Sequence, residues 1–445
     1  MTWLIHRDEL TAEQGRAVEL NPREHRLILG SPGSGKTIVL VHRARYLADH
    51  YGVLPDRFRI MVFTRVLKAY IRSGLADLEL PEECVTTFAA WCLDYYHRHI
   101  DKHTPWDSQN RQMDYEAIYQ AVWEKTRTLP ASQRLYDFIM VDEGQDLDRR
   151  AFEILKAIAQ HVTVFMDHKQ RLYANGADEQ EILQALGLKR HNLSLLQAYR
   201  CSPYIVQVAA SFVRDPTERE HFIRQHPLVT AAKQTPLLYF ARDANDEKEH
   251  LIDMVRSRID KNDRVAILFP TKRQVYGYAL ALREAGLEVE VPDVPSGKKG
   301  GKGVADKSGK AEKGAKSKES NRLPVIDFSS PLPKLMPYPS AKGLTFDTVL
   351  MPRLVARHFD QLTQEQLERW LFVGITRAIK WVYFSTLNNN NFMFLKRFQD
   401  LESKQQITIN ISPGLFSASM NQSQDKSAGI MEGGSGTSGG LSDLF

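Results

Sequence analysis

The sequence predicts an α/β protein of two or three domains. The chain has 445 residues, 42% of them hydrophobic, which is enough to bury a large core. An apolar run at Leu27–Leu29 is typical of a buried strand, and a helical apolar period begins after Thr37. A second apolar run, Phe138–Val141, ends in two acidic residues. This succession of strand, loop and helix is typical of the α/β class.

The loop between the first strand and the first helix reads G-x-x-x-x-G-K-T. Glycines let the backbone wrap closely around phosphate oxygens, and the helix N-terminus adds positive potential. A functionless glycine-rich turn is the alternative, but the flanking strand and helix favour a phosphate site. Lys36 would reach the β and γ phosphates of ATP, and Thr37 would hold Mg²⁺. The predicted ATP-binding residues are Gly30, Ser31, Pro32, Gly33, Ser34, Gly35, Lys36 and Thr37.

The acidic pair at the end of the second apolar run supplies the two carboxylates that a hydrolytic phosphate site needs in addition to the loop. Asp142 fits the carboxylate that anchors Mg²⁺, and Glu143 fits the base that activates the attacking water. Two adjacent acids could also form a solvated turn, but their combination with the glycine-rich loop disfavours that interpretation. The residues therefore predict hydrolysis of a nucleoside triphosphate, with ATP and Mg²⁺ as cofactors.

Further motifs follow in a fixed order along the chain: "LTAEQGRAVEL", "FMDHKQRLY", "LQAYRCSPYIVQVA", "PSAKGLTFDTVLMPRL" and "LFVGITRAIKWVYF". Together with the phosphate loop and the acidic pair, they resemble the UvrD/Rep/PcrA branch of superfamily 1 DNA helicases. The resemblance runs from about residue 10 to about residue 385, which is most of the chain.

The resemblance implies two RecA-like P-loop NTPase domains, each a parallel sheet with helices on both faces, and ATP in the cleft between them. The first domain would span residues 1–195 and the second residues 196–412. In the first domain, strands are expected near 27–29, 59–63, 138–141 and 162–167, with a reduced helical insertion at 92–135. In the second domain they are expected near 264–269, 348–351 and 381–385.

The resemblance also implies roles for residues of the nucleotide site. Gln14 would read the adenine edge and Tyr199 would stack on the base, while Gly343 would also contact the nucleotide. Gln170 would sense the γ-phosphate. Arg200 and Arg377 would act as arginine fingers that stabilise the transferring phosphoryl group, although such arginines in isolation are more often surface ion-pair partners.

Single-stranded DNA is the partner that the resemblance implies. The matching positions are Phe63, Thr64, Thr87, Ser340 and Lys342, which would stack on bases or bind phosphates. Phe63 could instead be a core residue at a strand end. Several family positions differ here: Ile38, Ala89, Pro339 and Thr345 stand where relatives usually carry Arg, His, His and Glu. The hydrolysis residues are thus more complete than the DNA-stepping residues.

A Lys/Gly-rich segment at residues 295–322 is predicted to be a disordered tether. From Ser296 to Arg322 it carries eight Lys and one Arg against three acids, a net charge of +6, so the rest of the chain sums to about −1. In relatives an accessory domain is inserted at this place. The tether could add sequence-independent DNA affinity or serve only as a linker.

Residues 413–445 are rich in Ser, Gly, Asn and Gln and are predicted to form a disordered tail. The tail ends in Asp443-Leu444-Phe445, which resembles the last positions of peptides that bind the bacterial sliding clamp. Two residues of that motif are missing, so a chance ending is the alternative. No apolar run is long enough to span a membrane and Cys84, Cys92 and Cys201 have no metal-site spacing, so we expect a cytoplasmic protein.

The leading hypothesis is an ATP-dependent translocase or helicase on single-stranded DNA, moving 3′ to 5′ because its relatives do. One alternative is a nucleotide-gated switch that binds DNA or a protein and does not unwind. Another is the motor subunit of an assembly with a nuclease or replication partner. RNA is also open as a substrate, because no residue that reads the 2′-hydroxyl can be identified.

Overall fold

A computed structural model describes residues 3–109, 111–167, 176–195, 201–226, 234–292, 326–388 and 391–413. The helices in these ranges are α1 (Ala12–Val18), α2 (Lys36–Tyr51), α3 (Arg65–Leu75), α4 (Phe88–His99), α5 (Tyr115–Thr126), α6 (Arg149–Ile158), α7 (Glu179–Leu186), α8 (Pro203–Ala210), α9 (Pro216–Arg224), α10 (Ala244–Asp260), α11 (Lys272–Glu284), α12 (Gln364–Ile375) and α13 (Leu395–Ser403). None of them has the length and apolar composition needed to cross a bilayer.

The strands form two six-stranded sheets and one small ribbon. The first sheet contains β1 (Arg26–Gly30), β2 (Phe58–Val62), β3 (Val85–Thr87), β6 (Tyr136–Val141), β7 (Ala159–Met166) and β8 (Leu193–Leu195). The ribbon pairs β4 (Trp106–Asp107) with β5 (Gln112–Met113). The second sheet contains β9 (Leu237–Ala241), β10 (Val265–Phe269), β11 (Lys334–Pro337), β12 (Phe346–Met351), β13 (Ala378–Leu387) and β14 (Thr408–Ile411).

The two large sheets have the same topology. The first runs β3-β2-β6-β7-β1-β8 and the second runs β11-β10-β12-β13-β9-β14, with every neighbouring pair parallel. When the strands of each sheet are numbered in chain order, both sheets read 3-2-4-5-1-6. The chain therefore folds as two α/β domains of one architecture, which confirms the predicted fold class of two RecA-like domains.

The predicted strands all lie within or overlap observed strands of these sheets. The helix α5, which begins after the N-cap Asp114, lies within the helical insertion expected at residues 92–135. The ribbon of β4 and β5 was not predicted, because each strand has only two residues and shows no apolar period. The predicted tether and most of the predicted tail lie outside the described residues.

A continuous buried apolar cluster joins the two domains. It contains Ile28 and Phe138 of the first sheet and Met336 and Phe384 of the second. At the domain junction Tyr70 of α3 meets the Phe328 ring edge-on, with the ring centroids 5.2 Å apart. Because burial of apolar surface is the main favourable term in association, this cluster holds the two domains together.

Arg43 is a fully buried cation in the first domain. Its guanidinium donates to the carbonyls of Val18 (2.9 Å) and Leu20 (2.7 Å) and to Thr163 Oγ1 (3.0 Å). Burial lowers the pKa of Arg43 to about 9, so the side chain is still charged at pH 7. Arg43 therefore ties the end of α1 to strand β7 and satisfies carbonyls that the helix leaves unpaired.

We expect Arg43→Met to lower the free energy of unfolding by about 3 kcal/mol, because the substitution leaves buried carbonyls without a donor. The matched control is Arg45→Met on the same helix. Arg45 is partly exposed and pairs with Asp49 and Glu79, so its loss should cost less than about 1 kcal/mol. Urea unfolding at pH 7 measures both values, and equal losses would contradict the structural role of Arg43.

Candidate active site between the two sheets

The glycine-rich loop leaves β1 at Gly30 and enters α2 at Lys36. Gly35, the N-cap of α2, has a φ of 84°, in the left-handed region that glycine adopts without strain. A Cβ there would stand 2.5 Å from Gln14 Nε2, and a Cβ on Gly30 would stand 2.5 Å from Ser34 Oγ. A side chain at Gly35 would therefore be strained by the backbone conformation, and a side chain at Gly30 would displace the side chains of Ser34 and Lys36.

Lys36 bonds to its own loop in this structure. Its Nζ donates to the carbonyls of Gly30 (2.9 Å) and Ser31 (3.2 Å) and lies 3.7 Å from Asp167 Oδ2. The buried hydroxyls of Ser31 and Ser34 have no hydrogen-bond partner among the described residues. Unpartnered hydroxyls and a lysine at a helix N-terminus fit a phosphate, which offers several acceptors.

Gln14 supports the same loop from α1. It forms a capping box with Thr11, and its Nε2 donates to the carbonyl of Ser34 at 3.0 Å. The amide that was predicted to read adenine therefore braces the phosphate loop here. Its contact with adenine stays a prediction, and the predicted stacking residue Tyr199 lies outside the described residues.

The predicted Mg²⁺ ligands Thr37 and Asp142 lie side by side. Thr37 Oγ1 donates to Asp142 Oδ2 at 2.7 Å, and the backbone N–H of Glu143 donates to Asp142 Oδ1 at 3.0 Å. Burial, and next the charge of Glu143, raise the pKa of Asp142 to about 7. A hydroxyl beside a carboxylate is a donor set that suits Mg²⁺, whose charge would stabilise the ionised form of Asp142.

Glu143 follows in a left-handed conformation, with φ 53°. Burial by itself would raise the pKa of Glu143, but the charges of Lys342, Lys36 and Arg377 outweigh burial and hold the pKa below its ordinary value. Gln145 orients the carboxylate, because its Nε2 donates to Glu143 Oε2 at 2.6 Å. A buried carboxylate that is ionised and oriented in this way can accept a proton from water.

The second sheet faces these residues with its amino edge. The cleft is lined from the first domain by Pro32, Gly33, Gly35, Lys36, Thr37 and Glu143, and from the second by Cys201, Gly343, Thr345, Thr376, Arg377 and Ala378. Arg377, at the end of α12, is buried, and its Nε donates to the carbonyl of Val373 at 3.0 Å. The structure therefore brings Arg377 and Gly343 to the phosphate loop across the domain boundary.

Lys342 crosses the cleft and pairs with the first domain. Its Nζ donates to both carboxylate oxygens of Asp146, at 2.7 and 2.8 Å, and lies 3.7 Å from Glu143 Oε2. Burial raises the pKa of Asp146 to about 6, and Lys342 opposes that rise. Lys342 was predicted to contact DNA, but its ammonium is buried in this ion pair, and the DNA contact stays a prediction.

The other predicted DNA-contact positions lie at strand ends and turns. Thr64 follows β2 and caps α3, accepting from the N–H of Leu67 at 3.1 Å, and Thr87 ends β3 and caps α4. Phe63 and Ser340 are partly buried. Both threonine hydroxyls are thus engaged in helix caps, and DNA binding at these positions stays a prediction.

Two predicted catalytic residues, Gln170 and Arg200, lie outside the described residues. In turn, the structure adds Asp146 and Asp167, which the sequence analysis did not assign. Asp167 follows β7, and its N–H donates to Gln145 Oε1 at 3.0 Å. The sequence contained a sign that each of these two acids belongs to the site, since Asp146 lies in the DEGQD segment and Asp167 ends an apolar strand.

We expect Asp142→Asn to raise the thermal midpoint of the metal-free protein by several degrees at pH 8 and by less at pH 5. The folded-state pKa of Asp142 is raised from 3.8 to about 7, so the native carboxyl holds a proton that the unfolded chain has lost. Stability is therefore lost as pH rises toward 7, and asparagine does not titrate. Calorimetry in EDTA tests this, with Asp137→Asn at the other end of β6 as the control; a gain independent of pH would contradict it.

Parts of this sequence match known proteins. Residues 10–129 and 86–187 match the model of the UvrD/REP helicase N-terminal domain. A curated protein named "Probable DNA helicase II homolog", from Mycoplasma capricolum subsp. capricolum, is 27% identical over 123 residues, which is 25% of this chain and 17% of the relative. The alignment thus spans about a sixth of the relative's length.

Among solved structures, the C-terminal domain of a possible DNA helicase from Lactobacillus plantarum WCFS1 aligns with 48% of this chain and 98% of its own, at 14% identity and a TM-score of 0.31. That overlap is too low to carry an argument about the fold. The assignment depends on the sequence match over residues 10–187, which contains the glycine-rich loop and the acidic pair. On that match, residues 10–187 are similar to the N-terminal domain of UvrD/REP helicases.

Proposed function

We propose that the protein is an ATP-driven motor on single-stranded DNA, a translocase or helicase that moves 3′ to 5′. One observation carries the proposal: Lys36, Thr37, Asp142 and Glu143 of the first domain meet Arg377 and Lys342 of the second domain in one cleft. A site divided in this way makes hydrolysis dependent on domain closure, which is what a motor requires.

In the proposed reaction Thr37 and Asp142 hold Mg²⁺, and the loop amides with Lys36 hold the phosphates. The bound Mg²⁺ would neutralise charge that develops on the phosphate oxygens. Lys36 would exchange the carbonyls of Gly30 and Ser31 for phosphate oxygens. Glu143, oriented by Gln145, would accept the proton of the attacking water.

The second domain would complete the site when it closes. Arg377 already lies near enough to lower the pKa of Glu143 and would stabilise negative charge on the transferring group. Arg200 is proposed as a second arginine of this kind by family resemblance. Because both arginines belong to the second domain, their approach would convert the energy of hydrolysis into relative movement of the two domains.

A nucleotide-gated switch is the second candidate function, and the position of Lys342 favours it. The motif that contains Lys342 was expected to face DNA, yet its ammonium is buried against Asp146 in the cleft. An ion pair that joins the domains would oppose opening until nucleotide or nucleic acid displaces it. Such a switch would bind and release without stepping.

The proposal is tested by ATPase assays with single-stranded DNA, duplex DNA, single-stranded RNA or no polymer. We expect single-stranded DNA to raise kcat by about tenfold or more, which is well within what one correctly placed charged group can supply in such a site. Displacement of a streptavidin block from the 5′ end but not the 3′ end of the DNA would establish the direction. Equal rates with and without every polymer would contradict a motor and leave the switch.

Lys36→Ala should abolish hydrolysis, and Glu143→Gln should reduce kcat by about a hundredfold or more while nucleotide binding is retained. The reason is that Lys36 binds the phosphates whereas Glu143 acts only on the attacking water. The matched controls are Lys261→Ala and Glu83→Gln, which change exposed side chains that do not line the cleft. Near wild-type turnover by Glu143→Gln would show that another group is the base.

A further inference from the structure

A second pocket lies at the carboxyl edge of the second sheet. It has a volume of about 820 Å³ and opens between the first turns of α10 and α11 and the segment after β12. We call it the second-sheet pocket; its lining residues are Ala244, Lys248, Thr271, Arg273, Gln274, Gly277, Tyr278, Ala281, Arg353, Arg357 and His358. The ATP cleft faces the amino edge of the same sheet, so the two sites lie on opposite edges.

The charge of the second-sheet pocket is strongly positive. Four lining residues are Lys or Arg and none is acidic. Arg353 is compensated, because its Nη1 donates to the buried Glu247 at 2.7 Å. The other three, Lys248, Arg273 and Arg357, form no ion pair with any described residue. Outside residues 296–322 the chain has a net charge of about −1, so this concentration of cations is local.

Two neighbouring groups, Asp243 and His358, do not cancel these cations, and the acid Asp360 acts on His358 by raising its pKa, against the larger opposite effects. Asp243 caps α10 and accepts from the N–H groups of Asn245 and Asp246. Burial, then Arg353 and Arg357, lower the pKa of His358 to about 4, so at pH 7 its ring is neutral and accepts from Arg353. Unpaired cations are therefore left facing an open pocket.

Two further features of α11 favour a bound anion. Gln274 Oε1 accepts from the N–H of Thr271, which fixes the orientation of the amide, and Gln274 Nε2 is buried without a partner among the described residues. Gly277 lies mid-helix, where glycine is less stable than alanine, yet no described atom beyond its own stretch of helix lies within 4 Å of the place where its Cβ would stand. Packing does not require glycine at this position, but the missing side chain leaves the helix backbone open to the pocket.

The shared topology of the sheets relates this edge to the nucleotide edge of the first domain. Strands β9, β10 and β12 occupy the places of β1, β2 and β6. Thr271 corresponds to Thr64, and each threonine caps the helix that follows its strand. The helix N-termini of both edges carry positive potential. The second domain, however, has only Arg242 and Asp243 between β9 and α10, with no glycine-rich loop to enclose a triphosphate.

We propose that the second-sheet pocket binds the phosphate backbone of a nucleic-acid strand, through Lys248, Arg273 and Arg357. The inference rests on the proposed function and extends the nucleic-acid interface to an edge of the second domain beyond the ATP cleft. An open pocket with cations on three separate elements suits a strand that passes across it. It suits a free nucleotide poorly, because no part of the described chain encloses a single phosphate group there.

The test is the double variant Lys248→Gln with Arg357→Gln. The matched control is Lys261→Gln with Lys404→Gln, which removes the same charge from exposed positions of the second domain that do not line the pocket. Fluorescence anisotropy with an oligodeoxynucleotide of about 20 residues measures affinity from about 50 to 200 mM salt. Inorganic triphosphate forms a second arm, and thermal unfolding verifies that both variants fold.

We expect the pocket variant to bind the oligonucleotide on the order of tenfold more weakly than the control at low salt, and its log–log salt slope to be smaller by about 1.4, or about 0.7 for each lost phosphate contact. Identical affinities and slopes for pocket and control variants would overturn the inference while wild-type binding leaves the proposed function standing. Loss of triphosphate binding alone, with oligonucleotide affinity intact, would also overturn it. Absence of wild-type binding to any polymer would overturn both.

Discussion

Two buried carboxylates, Asp142 and Glu143, determine how the rest of the cleft is built. Both are almost fully buried at the end of β6, where an uncompensated negative charge is very costly. The two carboxylates meet this cost in different ways. Asp142 keeps a raised pKa, whereas Glu143 stays ionised because cations from both domains surround it. One acid is left ready for a metal ion and the other ready to accept a proton.

The compensation of Glu143 also explains why the two domains are held in register. Lys342 and Arg377 come from the second domain, and both act on a carboxylate of the first. An apolar cluster provides most of the contact between the domains, but apolar contacts are non-directional. The buried ion pair of Lys342 with Asp146 is directional, because its geometry is satisfied in a single arrangement of the two domains.

Local features of the sequence predicted much of this structure. The phosphate loop, the acidic strand end and the helix α5 depend on patterns within a few residues, and all three are present. The pairing of Lys342 with Asp146 joins residues 196 positions apart and could not be seen in any window of sequence. Gln14 was predictable only in part. Its role in the nucleotide site was expected from the sequence, but its hydrogen bond to Ser34 depends on how closely α1 packs on α2.

In the proposed reaction, nucleotide contacts and domain contacts would be linked through Lys36 and Glu143. Lys36 must give up the carbonyls of Gly30 and Ser31 before it can bind a phosphate, and each neutral bond lost costs only about 1 kcal/mol net. The bonds gained are charge-assisted and roughly twice as strong. Once Lys36 turns toward phosphate, Glu143 loses part of the positive charge that keeps it ionised. In the proposed reaction, the share borne by Lys342 and Arg377 would then grow, which would favour closure of the second domain on the first.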